Sequence, residues 1–290
     1  MSPSTSAPVP VNHLIIVCCH AIYLGGEGGC ANEANWLIEP FQAGETETYI
    51  RHVEAGVAGL ARDPDNAILV FSGGATKRDK TARSEGEGYL AVALERNLFN
   101  LDAPAAPSAL RPRLFVDRYA TDSYQNVLLP LVQFPLYVQE LQTRLRGRDT
   151  APDSTATVEE PKAKLSHPTW PIKVTIISHG FKRRRFLDLH VPAMRLLLSR
   201  VAYVGIDPPF EPARMAQIEE GDRLRGYGAW ERDPYGLGEG LRGKREKRGW
   251  DEESFRAEVL ERFAGEARTL VERVVAFKGR DDDGRAPWEE

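Results

Sequence analysis

Cysteine is scarce: the 290 residues hold only Cys18, Cys19 and Cys30. An odd count, with two of the three adjacent inside an apolar run, excludes the disulfide framework of a small secreted domain and fits a reducing, cytoplasmic compartment. Long apolar runs are missing as well. The run 14–19 is far too short to cross a bilayer and has no basic segment ahead of it, so neither a membrane anchor nor a secretory leader is expected. Charge of one sign is not in excess: the formal net charge is −4, which excludes a general nucleic-acid binder. Several catalytic signatures are also absent. No Gly-x-Ser-x-Gly elbow, Walker A lysine pattern or Gly-x-Gly-x-x-Gly fingerprint follows any candidate strand. His20 and the three cysteines lack a zinc-like spacing, and strand alternation sends Cys18 and Cys19 to opposite faces, so no metal site is expected.

What is present is a set of short apolar runs, each ending abruptly in polar residues. Leu14 to Cys19 ends in His20; 67–71 ends in Ser72-Gly73-Gly74; 113–116 ends in Asp117. Two more, 174–177 and 201–206, end in Ser178-His179 and in Asp207. Uninterrupted apolar runs of this length read as strands buried on both faces, as in parallel sheets. Helix-like spacing separates them over 45–61, 84–98, 122–145 and 182–199, and Pro130 and Pro135 are expected to kink or break the third. The alternation predicts an α/β fold: a Rossmann-like, doubly wound, mainly parallel sheet of about five strands flanked by helices. The chain divides into a disordered N-terminus (1–12), a core (13–207) carrying a flexible insertion (147–171), and an extension (208–290) that packs on the core. The extension begins with a polar, Gly-rich segment, 210–249, and ends in a helix over 252–277. Its basic stretch Arg242 to Arg248 reads as a solvated face, or as a patch for an acidic partner.

In open α/β sheets ligands bind beyond the carboxyl ends of the strands, beside helix N-termini that attract anions. Ser72, Gly73 and Gly74 followed by Lys77 form a candidate anion loop, the glycines letting backbone N–H groups come close to a ligand; a tight structural turn is the equal alternative. Ser84 suits a helix N-cap, and Glu85 behind it serves either the helix dipole or proton transfer. Asp117, Ser123 and Asn126 lie in a stretch where propensity explains Thr121 and Asp122 as caps but leaves Asp117 and Asn126 without a structural reason. After the fourth run, Ser178 and His179 precede Lys182 and Arg185; cations at a helix start oppose its dipole unless an anion compensates. His20 belongs across the crevice from His179, or is a buried structural histidine.

In their order these motifs resemble the YdcF/SanA-like family, also called domain of unknown function 218. The counterparts are Ser72-Gly73-Gly74, Ser84-Glu85, Asp117 and 123–126, and the resemblance spans 13–207. It departs from the family at Asp117, where Glu is usual, at Ala120, where Ser is usual, and at Ser123, where Thr is usual. The enlarged first loop (27–44), the insertion and the extension also lie outside the family's core, as in a divergent eukaryotic branch, a fungal one among the options. The resemblance implies a Rossmann-like fold, a polar cleft and an enzymatic activity. One bacterial relative is associated with S-adenosylmethionine binding, and others with envelope functions through anchors that have no counterpart here.

The reading that follows is an enzyme acting on a small anionic metabolite, phosphate- or nucleotide-like, with hydrolysis preferred over group transfer. Ser72, Gly73, Gly74, Lys77, Ser123, Asn126, Ser178, Lys182 and Arg185 are the candidate binding residues, and His179, Asp117, Glu85 and His20 the candidate acids and bases. The alternative is a protein that binds S-adenosylmethionine or a nucleotide without hydrolysing anything, with Asp117 or Asp207 holding the ribose hydroxyls. The sequence marks no oligomeric state.

Overall fold

The computed structural model describes residues 11–102, 109–149, 164–280 and 283–289. Among them are seven strands: β1 (His13–Cys18), β2 (Ile22–Tyr23), β3 (Trp36–Leu37), β4 (Ala67–Ser72), β5 (Leu114–Asp117), β6 (Lys173–Ser178) and β7 (Val201–Gly205). Five of them form one all-parallel sheet in the order β5-β4-β1-β6-β7, and β2 pairs with β3 in a separate antiparallel ribbon. The chain therefore builds outward from β1 in one direction through β4 and β5, then returns past β1 to lay down β6 and β7. Each of the five apolar runs became a strand of this sheet. The two-residue strands β2 and β3 were too short to carry a periodic signal.

Every residue of β1 from Leu14 to Cys18 is completely buried, and pleating divides them between two cores. Leu14, Ile16 and Cys18 point into one, Ile15 and Val17 into the other, where Cys19 also lies. The second core is covered by α1 (Thr46–Arg62) and α2 (Glu85–Glu95). In α1, Tyr49, Val53, Val57 and Leu60 recur at helical spacing and are fully buried. The first core is covered by α3 (Gln125–Asp149), which runs unbroken through Pro130 and Pro135. Residues 127–134 are buried almost throughout, and that packing outweighs the roughly 3 kcal/mol an interior proline costs.

The expected helix over 182–199 is not regular. A π turn (Arg185–His190) runs into a single helical turn, α4 (Val191–Ala193), which ends at Arg195 in the left-handed region, φ 56°. The polar segment 210–249 is largely helical rather than a loop: α5 (Pro212–Asp222), a second π turn (Arg223–Tyr227), α6 (Gly228–Arg232) and α7 (Glu239–Lys247). The helix expected over 252–277 is divided into α8 (Glu252–Glu258) and α9 (Gly265–Val275). Trp230, Leu241, Phe255, Phe263, Val271 and Trp288 all sink into the first core, so the extension closes that face of the sheet.

Most of the N-terminal stretch, 1–10, and most of the insertion, 150–163, lie outside the described residues. The described end of the insertion is anchored rather than loose. Leu165 bridges to Phe263, and the Trp170 ring stands edge-on to Trp288 at 5.8 Å. Among the described residues no helix is long and apolar enough to cross a membrane.

Candidate functional site

Strand order reverses between the parallel neighbours β1 and β6, so the connections that leave their carboxyl ends run to opposite sides and open a crevice. A cleft of about 820 Å³ opens there. His20 follows β1 on one side of it; His179, Phe181, Lys182 and Arg185 follow β6 on the other. Thr76, Lys77 and Glu85 line it from the β4–α2 connection, and Ser123 and Asn126 from the start of α3. The remaining walls come from the 39–45 segment and from α5 and α7 of the extension.

His20 is the best-positioned titratable group. Its Nε2 lies 3.1 Å from Ser178 Oγ and its Nδ1 3.4 Å from Lys182 Nζ, while Gln42 Nε2 donates to its carbonyl at 2.8 Å. With Lys182 donating to Nδ1, the ring proton sits on Nε2 and is given to Ser178. The His179 ring lies 4.5 Å from His20 and stacks on Phe181 at 4.8 Å; His52, from α1, stands edge-on to His179 at 4.9 Å. Burial, and then neighbouring charge (Lys182 first for His20 and His179, His179 itself for His52), holds all three imidazoles well below the ordinary histidine range. They are neutral at neutral pH. His179 Nε2 approaches Glu45 Oε2 to 3.3 Å but without hydrogen-bond geometry, so neither of its ring nitrogens is satisfied.

Lys182 carries the electrostatic strain. Burial, and then Arg185, lowers its ammonium to about 7. Arg185 is brought down to about 10 by burial and pairs with Asp222 of α5. Arg248, just past α7, faces the same region and is held by the Thr121 carbonyl, to which it donates at 2.9 Å. Lys182 has no carboxylate ion-pair partner among the described residues. Lys77 does, in Glu39.

Glu85 opens α2. Ser84 caps that helix by accepting from the Glu87 amide at 3.1 Å, and Glu87 returns a bond to the Ser84 amide at 2.8 Å, so the dipole needs nothing further from Glu85. Thr76 Oγ1 donates to Glu85 Oε1 at 2.7 Å, and burial pushes its carboxyl up. Ser123 Oγ meets His190 Nε2 at 2.8 Å and receives a longer contact from Arg185.

Not every residue expected in the site reaches it. Ser72, Asp117 and Ser178 lie at the same edge of the sheet, Ser72 in register with Cys18 and with Asp117, yet none of them lines the cleft. Ser72 Oγ donates to Asp117 Oδ2 at 2.8 Å, with Asn126 Oδ1 at 3.4 Å; Gln133 Nε2 and the Tyr119 amide donate to Asp117 Oδ1 at 2.9 and 3.1 Å. Asp117 is a completely buried acceptor that fixes the turn from β5 into α3. The glycines do not offer N–H groups to a ligand either: Gly73 donates to the Asp117 carbonyl at 3.0 Å, and Gly74 to that of Ala120 at 2.6 Å. They are glycines because of close approach. A Cβ on Gly73 would sit 2.8 Å from Glu85 Cβ and 2.9 Å from Cys19 Cβ. Gly74 faces a smaller pocket of about 380 Å³ on the far side of the loop.

Other lining residues were not anticipated. Gln42 comes from the enlarged first loop, Glu45 from the N-cap of α1, Arg214 and Arg225 from the extension, and Lys244 and Arg248 from the basic cluster read as solvated. One signal was available: Lys244 and Arg248 stand four residues apart, which puts both on one helical face. Among the described residues no cluster of histidine, cysteine or carboxylate side chains could hold a metal ion.

No family model matches the chain, and no solved structure matches it. A curated relative is "Uncharacterized protein YOR238W" of Saccharomyces cerevisiae (strain ATCC 204508 / S288c), 30% identical over 220 residues, with 71% of this chain and 70% of the relative covered.

Proposed function

The chain belongs to the family of the yeast protein YOR238W, and we propose that its cleft binds a small phosphate-bearing anion and catalyses hydrolysis at that group. The observation that carries the reading is Lys182: a half-buried cation that, among the described residues, is hydrogen-bonded to no carboxylate and has only the longer-range pull of Glu45, beside Arg185 and facing Arg248. Taking a cation out of water costs several kcal/mol unless an opposite charge compensates; Arg185 has Asp222 and Arg248 is exposed, so it is Lys182 that an anion in this cleft would compensate. Of the motifs that resemble the YdcF/SanA-like family, Glu85, Ser123 and Asn126 line the cleft and belong to the same reading.

The proton chemistry follows from the contacts. Once the Lys182 ammonium turns from His20 Nδ1 to the bound anion, neutral His20 takes a proton from an attacking water at Nδ1 as the new O–P bond forms. The Lys182 ammonium gives one to the leaving oxygen as the old O–P bond breaks, and Arg185 and Arg248 balance charge on the phosphoryl oxygens. Transfer from His20 Nδ1 to Lys182 Nζ, 3.4 Å apart, then restores both groups. Cys19 is no competitor as nucleophile, because burial raises its thiol well above the usual range. Asp117 is committed to Ser72 and Gln133, and Asp207 Oδ1 accepts from the Phe181 amide at 3.2 Å, so neither acid takes part in the proton transfers.

The test is thermal shift and calorimetry of the full chain with inorganic phosphate, pyrophosphate, sugar phosphates and S-adenosylmethionine, followed by phosphate-release assays on the ligands that bind. Phosphate compounds are expected to bind, Lys182→Ala to weaken them at least about tenfold, and His20→Gln to keep binding while turnover falls roughly a hundredfold. S-adenosylmethionine binding with no response to any phosphate compound would overturn the reading.

A further inference from the structure

The cleft is far larger than a phosphate needs, and its mouth displays a side chain that the proton chemistry does not use. Phe41 lines the cleft yet is 74% exposed. A lone exposed phenylalanine is ordinary on a protein surface. Here, however, the segment that carries it is fastened on every side. Glu39 and Gln42 close a capping box around the short 3-10 turn Pro40–Gln42. Gln42 also donates to the His20 carbonyl at 2.8 Å, Glu39 pairs with Lys77, and Arg214 of α5 donates to the Ala43 carbonyl at 2.6 Å. The 39–45 segment has Phe41 as its only large apolar side chain, and with the segment tied to the His20 carbonyl that ring is displayed at the cleft entrance rather than turned inward. Gln217 and Ile218 of α5 line the same cleft, and supply an amide and an apolar surface.

We propose that the ligand is a nucleoside phosphate, its phosphate seated between Lys182, Arg185 and Arg248 and its base stacked on Phe41. The proposal rests on the anion-binding reading above and adds the other end of the molecule to it. An exposed aromatic face suits a purine or pyrimidine because every base presents a π surface, and a backbone already held leaves only the side-chain torsions of Phe41 to be ordered on binding. Gln217 has the donor and acceptor that a base edge requires. A cleft of about 820 Å³ falls within the range of sites that enclose ligands of nucleotide size.

Calorimetry on the full chain with inorganic phosphate, ribose 5-phosphate and adenosine 5′-monophosphate separates the two ends. The nucleotide is expected to bind about tenfold more tightly than ribose 5-phosphate, the difference being the stacked base. Phe41→Ala, a change at an exposed position, is expected to bring the nucleotide to within about threefold of ribose 5-phosphate and to leave ribose 5-phosphate where it was; Phe41→Trp is expected to keep the advantage. If the nucleotide has no advantage over ribose 5-phosphate, or if Phe41→Ala leaves that advantage whole, the base site is wrong while the anion site stands. If no phosphate compound binds, both fall.

Discussion

The two halves of the sheet's carboxyl edge use the same residue types to opposite ends. Around β4 and β5 the polar groups satisfy one another: Ser72, Asp117, Asn126 and Gln133 form a closed set, and both glycine amides are engaged by backbone carbonyls. Around β1 and β6 they do not. His179 has neither ring nitrogen hydrogen-bonded, His52 Nδ1 is likewise unpaired, and Lys182 has a neutral imidazole where a carboxylate would be expected. Buried polar groups are nearly always satisfied in folded proteins, so the unpaired His179 ring on the cleft wall is the exception a bound ligand would explain, whereas the unpaired atoms of His52, Tyr89, Arg113 and Tyr124 lie off the cleft lining. Polarity at a strand end shows only that something is bonded there. Whether the partner is already inside the protein decides between scaffold and site.

The closed half is where substitutions should hurt stability most. Asp117→Ala removes the acceptor of three donors in a fully buried position. It is expected to cost about 3 kcal/mol in urea unfolding, with Asp117→Asn costing less because a carbonyl acceptor remains. An Asp117→Ala protein as stable as the wild type would dissolve the contrast between the halves. Gly73→Ala comes next. Its Cβ would meet Glu85 and Cys19 at under 3 Å, neither at the end of a flexible chain. About 1–3 kcal/mol of destabilisation is expected, and because Glu85 must shift, activity should fall further than stability alone accounts for. Equal loss in both would place Glu85 outside the chemistry.

The sequence showed this edge but not its division. All five sheet strands were legible, because continuous apolar runs bounded by polar residues have few other uses in a chain of this size, and α1 and α2 followed from their spacing. Asp117 was recognisable as unexplained by propensity, yet its partners Ser72 and Gln133 are forty-five residues back and sixteen residues on, and no local pattern connects them. The glycines carried a double meaning, ligand approach or steric clearance, which only the position of Glu85 could resolve. The extension was hardest. Its helices are short, charged and interrupted by π turns, so hydrophobic periodicity is faint in them, and Arg248 enters the cleft only because Trp230 and Leu241 anchor the surrounding segment in the core.

The open half should show the reverse behaviour, with a smaller effect on stability and a sign that depends on pH and ligand. Lys182→Met keeps the length of the side chain and removes a charge that the fold disfavours. At neutral pH the variant is expected to be about 1 kcal/mol more stable than the wild type. The ammonium is lowered from its ordinary 10.5 to about 7 in the folded state. Below about 7 both folded and unfolded chains hold the proton, and the folding penalty is complete. Between about 7 and 10.5 the unfolded chain binds more protons than the folded one, so wild-type stability rises with pH relative to the variant and the gap closes. A saturating phosphate ligand should reverse the ranking at neutral pH, since a hundredfold excess over Kd stabilises the wild type by about 2.7 kcal/mol and the variant has lost its principal cation. Paired melts with and without ligand, across that pH window, read both signs. If Lys182→Met is less stable than the wild type without ligand at neutral pH, Lys182 is a structural cation, and the open half of the edge is closed after all.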